Sequence, residues 1–226
     1  MNKADFYSWF DKLSPKLLIR QNSFYKIFNY LDKMPDPIII VETGCLRIKN
    51  NFLDGQSTLL FDKYTEYRKN DAKVFSVDID PKATKVCSEV VSKNVSINTG
   101  DSVKYLEEFT KNFDSKKKAV SLFYLDSFDC NWNSLEQSSQ HHVREFQTVK
   151  KILNKDTLLV VDDSPIVGYF QQSSTKKDAF ELIKPGLVPA PTISGKGKLV
   201  HQKAIQAGAK MLFSNYLTGW TGFKKL

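Results

Sequence analysis

The chain has 226 residues, a length that suits one domain with additions and leaves too little for two full domains. Hydrophobic residues make up 41% of it and aromatic residues 12%, which excludes a disordered or fibrous protein. No window approaches the roughly 18 apolar residues that span a bilayer, and the first dozen residues lack the apolar core of a signal peptide. Three cysteines without CxxC spacing fit a reducing compartment, so we expect a globular protein of the cytoplasm with no membrane partner.

The basic side chains outnumber the acidic ones, with 33 Lys and Arg against 25 Asp and Glu and a formal net charge of +8. This excess is compatible with an anionic partner such as nucleic acid, an acidic membrane, or a phosphorylated or carboxylated substrate. The lysines are scattered, however, and the short runs at 116–118 and 224–225 are not interleaved with aromatic residues as in nucleic-acid-binding segments. The pattern therefore favours a solvated, lysine-rich surface.

Residues 1–36 are predicted to form a helical extension that covers the main fold as a lid or buttress. Phe6, Phe10 and Leu13 recur at helical spacing, and Ser14-Pro15 is typical of the start of a second helix.

Between residues 37 and 163, short apolar runs alternate with amphipathic stretches of about 12–15 residues. The apolar runs are PIIIVETG, KVFSVDID, NVSINTG, AVSLFYLD and DTLLVVDD. Strands that are apolar at nearly every position are covered on both faces, and strands joined through helices pair in parallel by right-handed crossovers. We therefore predict an α/β fold with a Rossmann-like, doubly wound sheet, mostly parallel and with helices on both faces.

The last third of the chain has a different pattern, although we assign all of residues 37–226 to one domain. Residues from about 164 to 194 carry four prolines among polar clusters and are predicted to be an irregular insertion. GKGKLVHQKAIQAGA is predicted to be a helix, and KMLFSNY with LTGWTGF a terminal antiparallel strand pair. The GKGK run lacks the GxxxxGK[ST] spacing and does not follow a strand, which argues against a phosphate-binding loop.

Each of the five predicted parallel strands ends in an acidic residue or a glycine. These ends are Glu42-Thr43-Gly44, Asp78-Ile79-Asp80, Gly100-Asp101, Asp126-Ser127-Phe128-Asp129 and Asp162-Asp163. One such acid is weak evidence because Asp is common in turns and caps. Ligands of doubly wound sheets bind outside the carboxyl ends of the strands, so five polar ends in succession predict a binding site along this edge.

The order of these motifs resembles that of the class I S-adenosylmethionine-dependent methyltransferases. VETG followed by GQST is similar to the first motif of that family, and VFSVDID is similar to the second. The resemblance implies that S-adenosylmethionine is held by Glu42, Thr43, Gly44, Gly55, Ser57, Asp78, Asp101 and Ser102. In it Asp78 accepts bonds from both ribose hydroxyls, and Asp101 lies beside the adenine. The sequence departs from the family where CLRIKNNFLD replaces the compact GxGxG.

A narrower resemblance concerns YLDSFD and VVDDSP, which are similar to motifs of metal-dependent small-molecule O-methyltransferases, including those that act on antibiotic sugars. It implies that Asp126, Asp162 and Asp163 hold a divalent cation such as Mg²⁺, and that the enzyme methylates a hydroxyl of a small acceptor. Carboxylate oxygens suit Mg²⁺, and three of them on one edge repel each other unless a cation lies between them. The alternative is that Asp162 or Asp163 caps the following turn.

Two adjacent histidines in SSQHHVREF follow the Asp126 loop. On a helix, His141 and Glu145 share one face, whereas His142 points about 100° away. Either histidine could be the general base that deprotonates the acceptor, or a fourth metal ligand, or a helix-surface residue without such a role. Asp126 is a further catalytic candidate, and Arg47 could bind an acidic acceptor or the carboxylate of the cofactor.

The sequence leaves other functions open. An enzyme with the same fold and cofactor could methylate nucleic acid, as the charge of +8 permits, although the proline-aromatic tetrapeptide of amino-methylating nucleic-acid enzymes is absent after the fourth strand. The altered first loop would also suit a non-catalytic, methyltransferase-like binding module. A dehydrogenase is disfavoured because no GxGxxG follows the first strand.

Overall fold

A computed structural model of the chain describes residues 1–54, 56–68, 71–167, 170–172, 180–182 and 192–224. The α-helices are α1 (Lys3–Leu13), α2 (Gln21–Leu31), α3 (Ser57–Arg68), α4 (Pro81–Ser88), α5 (Ser102–Asn112), α6 (Glu136–Val149) and α7 (Gly197–Gln206). The strands are β1 (Ile39–Thr43), β2 (Lys73–Asp78), β3 (Val95–Thr99), β4 (Leu122–Leu125), β5 (Leu158–Val161), β6 (Phe170–Gln172), β7 (Phe180–Leu182), β8 (Lys210–Ser214) and β9 (Thr218–Thr221). Short 3₁₀-helices span Ser14–Arg20, Phe52–Asp54 and Lys150–Ile152.

The main sheet of the described residues has seven strands in the order β3-β2-β1-β4-β5-β9-β8. The first five pair in parallel, and β9 and β8 are added as an antiparallel pair. The predicted doubly wound, Rossmann-like fold with a terminal antiparallel pair is therefore confirmed. Because the chain runs outward from β1 to β3 and then returns to β4 on the other side, the strand order reverses between β1 and β4, where such sheets open a crevice.

The core lies on both faces of this sheet. Every residue of β1, β4 and β5 is buried, because helices cover these central strands on both sides. Two of the helices start at acids that follow strands. Asp80 accepts a hydrogen bond from the amide of Lys82 at the start of α4, and Asp101 accepts one from Lys104 at the start of α5. These caps fix where the polar ends of β2 and β3 stand.

The amino-terminal helices pack into one of the two cores through fully buried phenylalanines, among them Phe6 on α1 and Phe28 on α2. The ring of Phe28 stacks on Tyr64 of α3 at a centroid distance of 5.0 Å. Between the two helices, residues Ser14–Arg20 form a 3₁₀-helix instead of the start of a regular helix, and Leu18 breaks it with φ 49° and ψ −120°. This break turns Arg20 toward the carboxyl edge of the sheet. The division of the chain at residue 36 stays a prediction.

The predicted insertion is described only in part. Its β6 and β7 form a separate antiparallel pair, and Ile166 bridges to Ile193 at its base. Among the described residues, no helix combines the length and apolar composition needed to cross a membrane.

Candidate functional site

A pocket of about 250 Å³ opens at the carboxyl ends of β1 to β4, beside the reversal of strand order. Of the residues predicted for the site, those that line it are Gly44, Ser57, Asp78, Asp101, Ser102, Asp126 and His141. Glu42, Thr43, His142, Asp162 and Asp163 are not part of the lining, and Gly55 lies outside the described residues. The predicted residues therefore lie at one edge of the sheet, but only some of them face the pocket, and the others lie behind its wall.

Gly44 ends β1 in a tight turn with φ +80°. A Cβ atom at this position would lie 2.5 Å from the carbonyl oxygen of Asp126, so only glycine fits without displacement of the backbone. The Gly44 amide donates to Val77 O on β2 at 2.8 Å, and the Asp126 amide donates to Thr43 O at 2.8 Å. The end of β1 is thus fixed between the ends of its two neighbours.

Glu42 lies beneath the pocket and supports the loop that follows β1. Its Oε2 accepts hydrogen bonds of 2.7 Å from the hydroxyls of Thr58 and Ser76, and Thr58 Oγ1 in turn accepts one from the amide of Leu46. Burial raises the pKa of Glu42 to about 7, although hydroxyl hydrogen bonds, including one from Ser57, act in the opposite direction. Glu42 therefore positions the loop from within.

Asp78 presents its carboxylate to the pocket at the end of β2. Its Oδ2 accepts a hydrogen bond from the amide of Cys45 at 3.0 Å, and its Oδ1 accepts one from the amide of Asp80 at 2.9 Å. A carboxylate oxygen has two acceptor positions, so each keeps one for a ligand. Two backbone amides orient the group, and it can still accept two hydroxyl hydrogens.

The end of β3 leaves open space in the pocket wall. A Cβ atom at Gly100 would meet no heavy atom within 4 Å. Beside it, Asp101 holds the start of α5 through Oδ1, and Ser102 Oγ lies 2.9 Å from Nε2 of His141. The start of α5, which follows β3, is therefore joined to α6 through this pair.

The pocket mouth contains two apolar side chains to which sequence reasoning gave no role, and one charged side chain, Arg47, which it considered as a partner for an acidic group. Ile79 and Phe128 line the pocket and are 74% and 48% exposed, and the Phe128 ring stacks on His141 at 5.3 Å. Arg47 donates 2.7 Å hydrogen bonds to Asp54 and Asp129, so it bridges the loops after β1 and β4. The hydrogen bond to Asp54 is the largest influence that raises the pKa of Arg47. Its charge is thus already paired with protein carboxylates.

His141 and His142 have different environments, as the helical spacing predicts. His142 is fully buried, its Nδ1 donates to Ser138 O at 2.7 Å, and burial lowers its pKa to about 4. His141 faces the pocket, with Nε2 3.5 Å from Oε1 of the buried Glu145, which also accepts a 2.6 Å hydrogen bond from Ser127. Burial alone would raise the pKa of Glu145, but its bond with His141 and the neighbouring His142 and hydroxyls lower it to about 2. An ionised carboxylate therefore stands behind His141.

Asp126, Asp162 and Asp163 come together as predicted, but two protein cations lie among them. Arg20 Nε is 3.0 Å from both carboxylate oxygens of Asp162, and its Nη2 donates to Asp163 Oδ1 at 2.8 Å. Lys196 Nζ is 2.6 Å from Asp126 Oδ1 and 3.1 Å from Asp163 Oδ2. We call these five residues the ionic cluster.

Two acids of the ionic cluster have pKa values that are shifted in opposite directions. Burial raises the pKa of Asp126 well above its ordinary value, although Lys196 acts in the opposite direction. Burial would also raise the pKa of Asp163, but Lys196 and Arg20 together bring it below its ordinary value.

The donor set of the ionic cluster does not fit a metal ion as it stands. Within the described ranges, no group of three or more His, Cys, Asp or Glu side chains is arranged to hold one. Oxygens that would coordinate a cation accept hydrogen bonds from Arg20 and Lys196 instead. No pattern in the sequence marked Arg20, which lies 142 residues before Asp162. The glycines on both sides of Lys196 were the sequence feature that could have indicated a close approach of this residue to the sheet.

No family model matches the sequence, and no curated protein sequence matches it. Solved structures with a similar course of the chain include DesVI of Streptomyces venezuelae, with 10% identity, a TM-score of 0.48 and coverage of 98% of this chain and 99% of that one. DhpI in complex with SAH has 9% identity, a TM-score of 0.44 and coverage of 96% and 87%. A putative methyltransferase from Thermobifida fusca YX has 15% identity, a TM-score of 0.37 and coverage of 68% and 52%. At these identities the likeness concerns the fold alone.

Substitution of Gly44 tests the tight turn at the end of β1. Gly44→Ala should lower the free energy of unfolding by at least about 2 kcal/mol, because the left-handed φ disfavours a side chain and the new Cβ meets the Asp126 carbonyl. Gly100→Ala is the matched control, with φ outside the left-handed region and free space for Cβ, so its effect should stay within about 0.5 kcal/mol. Urea unfolding compares them, and equal losses would contradict the turn's role.

The pH dependence of stability tests the buried carboxyl of Glu42. Because folding raises its pKa from 4.5 to about 7, the folded chain binds this proton more tightly, so the stability it contributes is full below pH 4.5 and is lost as the pH rises through 7. Glu42→Gln removes this titration. The stability of the natural chain relative to the variant should therefore fall between pH 4.5 and 8, by as much as about 3 kcal/mol. Urea unfolding measures both proteins, and a stability difference between them that does not change with pH would contradict the raised pKa of Glu42.

Proposed function

We propose that this protein is an S-adenosylmethionine-dependent methyltransferase that methylates an oxygen of a small hydroxylated acceptor. The observation that supports this most is the position of Asp78, which stands at the end of β2 in a pocket at the strand-order reversal. Two backbone amides orient its carboxylate, and an acceptor position stays free on each oxygen. A pair of neighbouring hydroxyls, such as those of a ribose, matches this arrangement.

The rest of the pocket fits an adenosyl ligand by shape and by the chemistry of its walls. The open space at Gly100 and the exposed apolar side chains of Ile79 and Phe128 suit a flat, apolar-faced base next to Asp101. Gly44 brings backbone close to the pocket floor, and Ser57 offers a hydroxyl at the start of α3. When bound there, S-adenosylmethionine would supply a methyl group made electrophilic by the sulfonium.

The proton of the acceptor hydroxyl is assigned to His141, the histidine that lines the pocket. Ser102 and the ionised Glu145 lie on the Nε2 side of the ring, so Nε2 carries the hydrogen. The proton of the acceptor would go to Nδ1, which would exchange its 3.3 Å contact with Arg144 Nη2 for the acceptor, and Glu145 stabilises the imidazolium that forms. His142 has no such role in this proposal, because burial and its bond to Ser138 hold it away from the pocket. Asp126 contributes by accepting a hydrogen bond from the acceptor, and no step is routed through a metal ion.

Calorimetry with S-adenosylmethionine tests the cofactor part of the proposal. The natural chain should bind, and Asp78→Ala should weaken binding at least about tenfold, because two hydrogen bonds to a charged group are lost. Asp114→Ala, which removes an exposed acid outside the pocket lining, should bind like the natural chain. A natural chain that binds no S-adenosylmethionine would contradict the methyltransferase assignment and favour a non-catalytic module.

Turnover measured on a panel of small hydroxylated acceptors tests the role of His141. His141→Gln keeps a hydrogen-bonding group for Ser102 but cannot accept the proton, so kcat should fall by about 10²–10⁴ with little change in KM. His201→Gln is the control, because His201 lies on α7 and its Nδ1 accepts a hydrogen bond from Trp220. An unchanged kcat in His141→Gln would assign the proton to another group.

A further inference from the structure

We infer that Arg20 and Lys196 are permanent protein replacements for a divalent cation at the carboxyl edge of this sheet. The three aspartates alone would be a metal-binding set, as their sequence motifs indicate. The ionic cluster turns them into a closed arrangement of side chains that does not require a metal ion.

The first observation is that the oxygens a metal would use are engaged by these two cations. Each oxygen of Asp162 faces Arg20 Nε at 3.0 Å, and the two oxygens of Asp163 are divided between Arg20 at 2.8 Å and Lys196 at 3.1 Å. Lys196 Nζ also donates a hydrogen bond to Asp126 Oδ1 at 2.6 Å. Of the six carboxylate oxygens in the ionic cluster, only Asp126 Oδ2 has no bond to Arg20 or Lys196. A metal ion would have to displace both.

The second observation is the charge. A guanidinium and an ammonium together carry the +2 of a divalent ion, so they place the same positive charge among the three aspartates. The side chains of Lys196 and Asp162 are buried, with exposures of 1% each, and those of Arg20, Asp163 and Asp126 are mostly buried, with exposures of 13%, 16% and 21%. Buried carboxylates without a partner are strongly destabilising, so this site needs its positive charge in every folded molecule.

The third observation is that the backbone is shaped to seat Lys196. Gly195 has φ +62°, and a Cβ there would lie 1.9 Å from the carbonyl oxygen of Asp163, while a Cβ at Gly197 would lie 2.5 Å from the hydroxyl of Ser164. The Lys196 amide donates to Asp163 O at 3.0 Å. The two glycines allow close approach to the end of β5, and the GKGK run thus places a buried lysine.

Arg20, which comes from the amino-terminal part of the chain, is also held in place by contacts outside the three aspartates. Its guanidinium lies 4.7 Å from the ring centroid of Tyr216, and its Nη1 donates to Leu53 O at 3.2 Å. Tyr124 completes the shell of Asp162 with a 2.7 Å hydrogen bond to Oδ2. Groups from five separate parts of the chain converge here, which distinguishes the arrangement from incidental surface ion pairs.

Titration of the full chain with Mn²⁺, followed by calorimetry and electron paramagnetic resonance, tests this inference. The natural chain should show no saturable binding. Lys196→Ala frees oxygens of Asp126 and Asp163, so it should bind one Mn²⁺ at least about tenfold more tightly than the natural chain and gain thermal stability from it. Lys203→Ala, which removes an exposed lysine of the helix that follows Lys196, should behave like the natural chain.

Two results would overturn the inference. One is saturable Mn²⁺ binding by the natural chain that Asp163→Asn abolishes, a measurement that requires no cation variant to fold. The other is a folded Lys196→Ala or Arg20→Ala protein that binds Mn²⁺ no better than the natural chain. Because the readout is metal binding, either result leaves the S-adenosylmethionine titration of Asp78→Ala as a separate test of the proposed function.

Discussion

The rest of this structure depends on the need to neutralise the carboxylates that the sheet collects at one edge. The carboxyl ends of neighbouring parallel strands lie at the same edge of the sheet. Asp126 and the Asp162-Asp163 pair therefore lie side by side, mostly shielded from solvent. Arg20 and Lys196 supply the opposing charge, one from the amino-terminal segment and one from the loop before α7. Arg20 follows the break at Leu18, and Lys196 lies between two glycines that allow close approach to the end of β5.

The same edge separates two kinds of acid by their surroundings. Asp78 is held by backbone amides and lines an open pocket, so it keeps capacity for a ligand. Asp162 is surrounded by Arg20 and Tyr124 and does not line the pocket. Asp126 belongs to both environments, since it lines the pocket and pairs with Lys196. The ionic cluster therefore fixes one wall of the pocket in which the proposed chemistry would occur.

Much of the fold could be predicted because its signals are local. Apolar strands and amphipathic helices are properties of short segments, and the sheet and its helices are present where the pattern indicated. The prediction of a regular helix was wrong in the segment Ser14–Arg20, which is a 3₁₀-helix broken at Leu18. Arg20 at its end contacts Asp162, a residue far away in the chain that no local pattern indicates. The different exposure of His141 and His142 followed from helical geometry, but which of them faces the pocket did not.

The sequence by itself determined that five strands end in polar residues along one edge, since the strand ends follow from periodicity and the parallel pairing follows from the length of the connections. It could not determine what those residues contact, because ion pairs such as Arg20–Asp162 join segments far apart in the chain, and identical aspartates suit a metal or a guanidinium equally well. Only the tertiary structure decided this, by bringing Arg20 and Lys196 within hydrogen-bonding distance of the carboxylates.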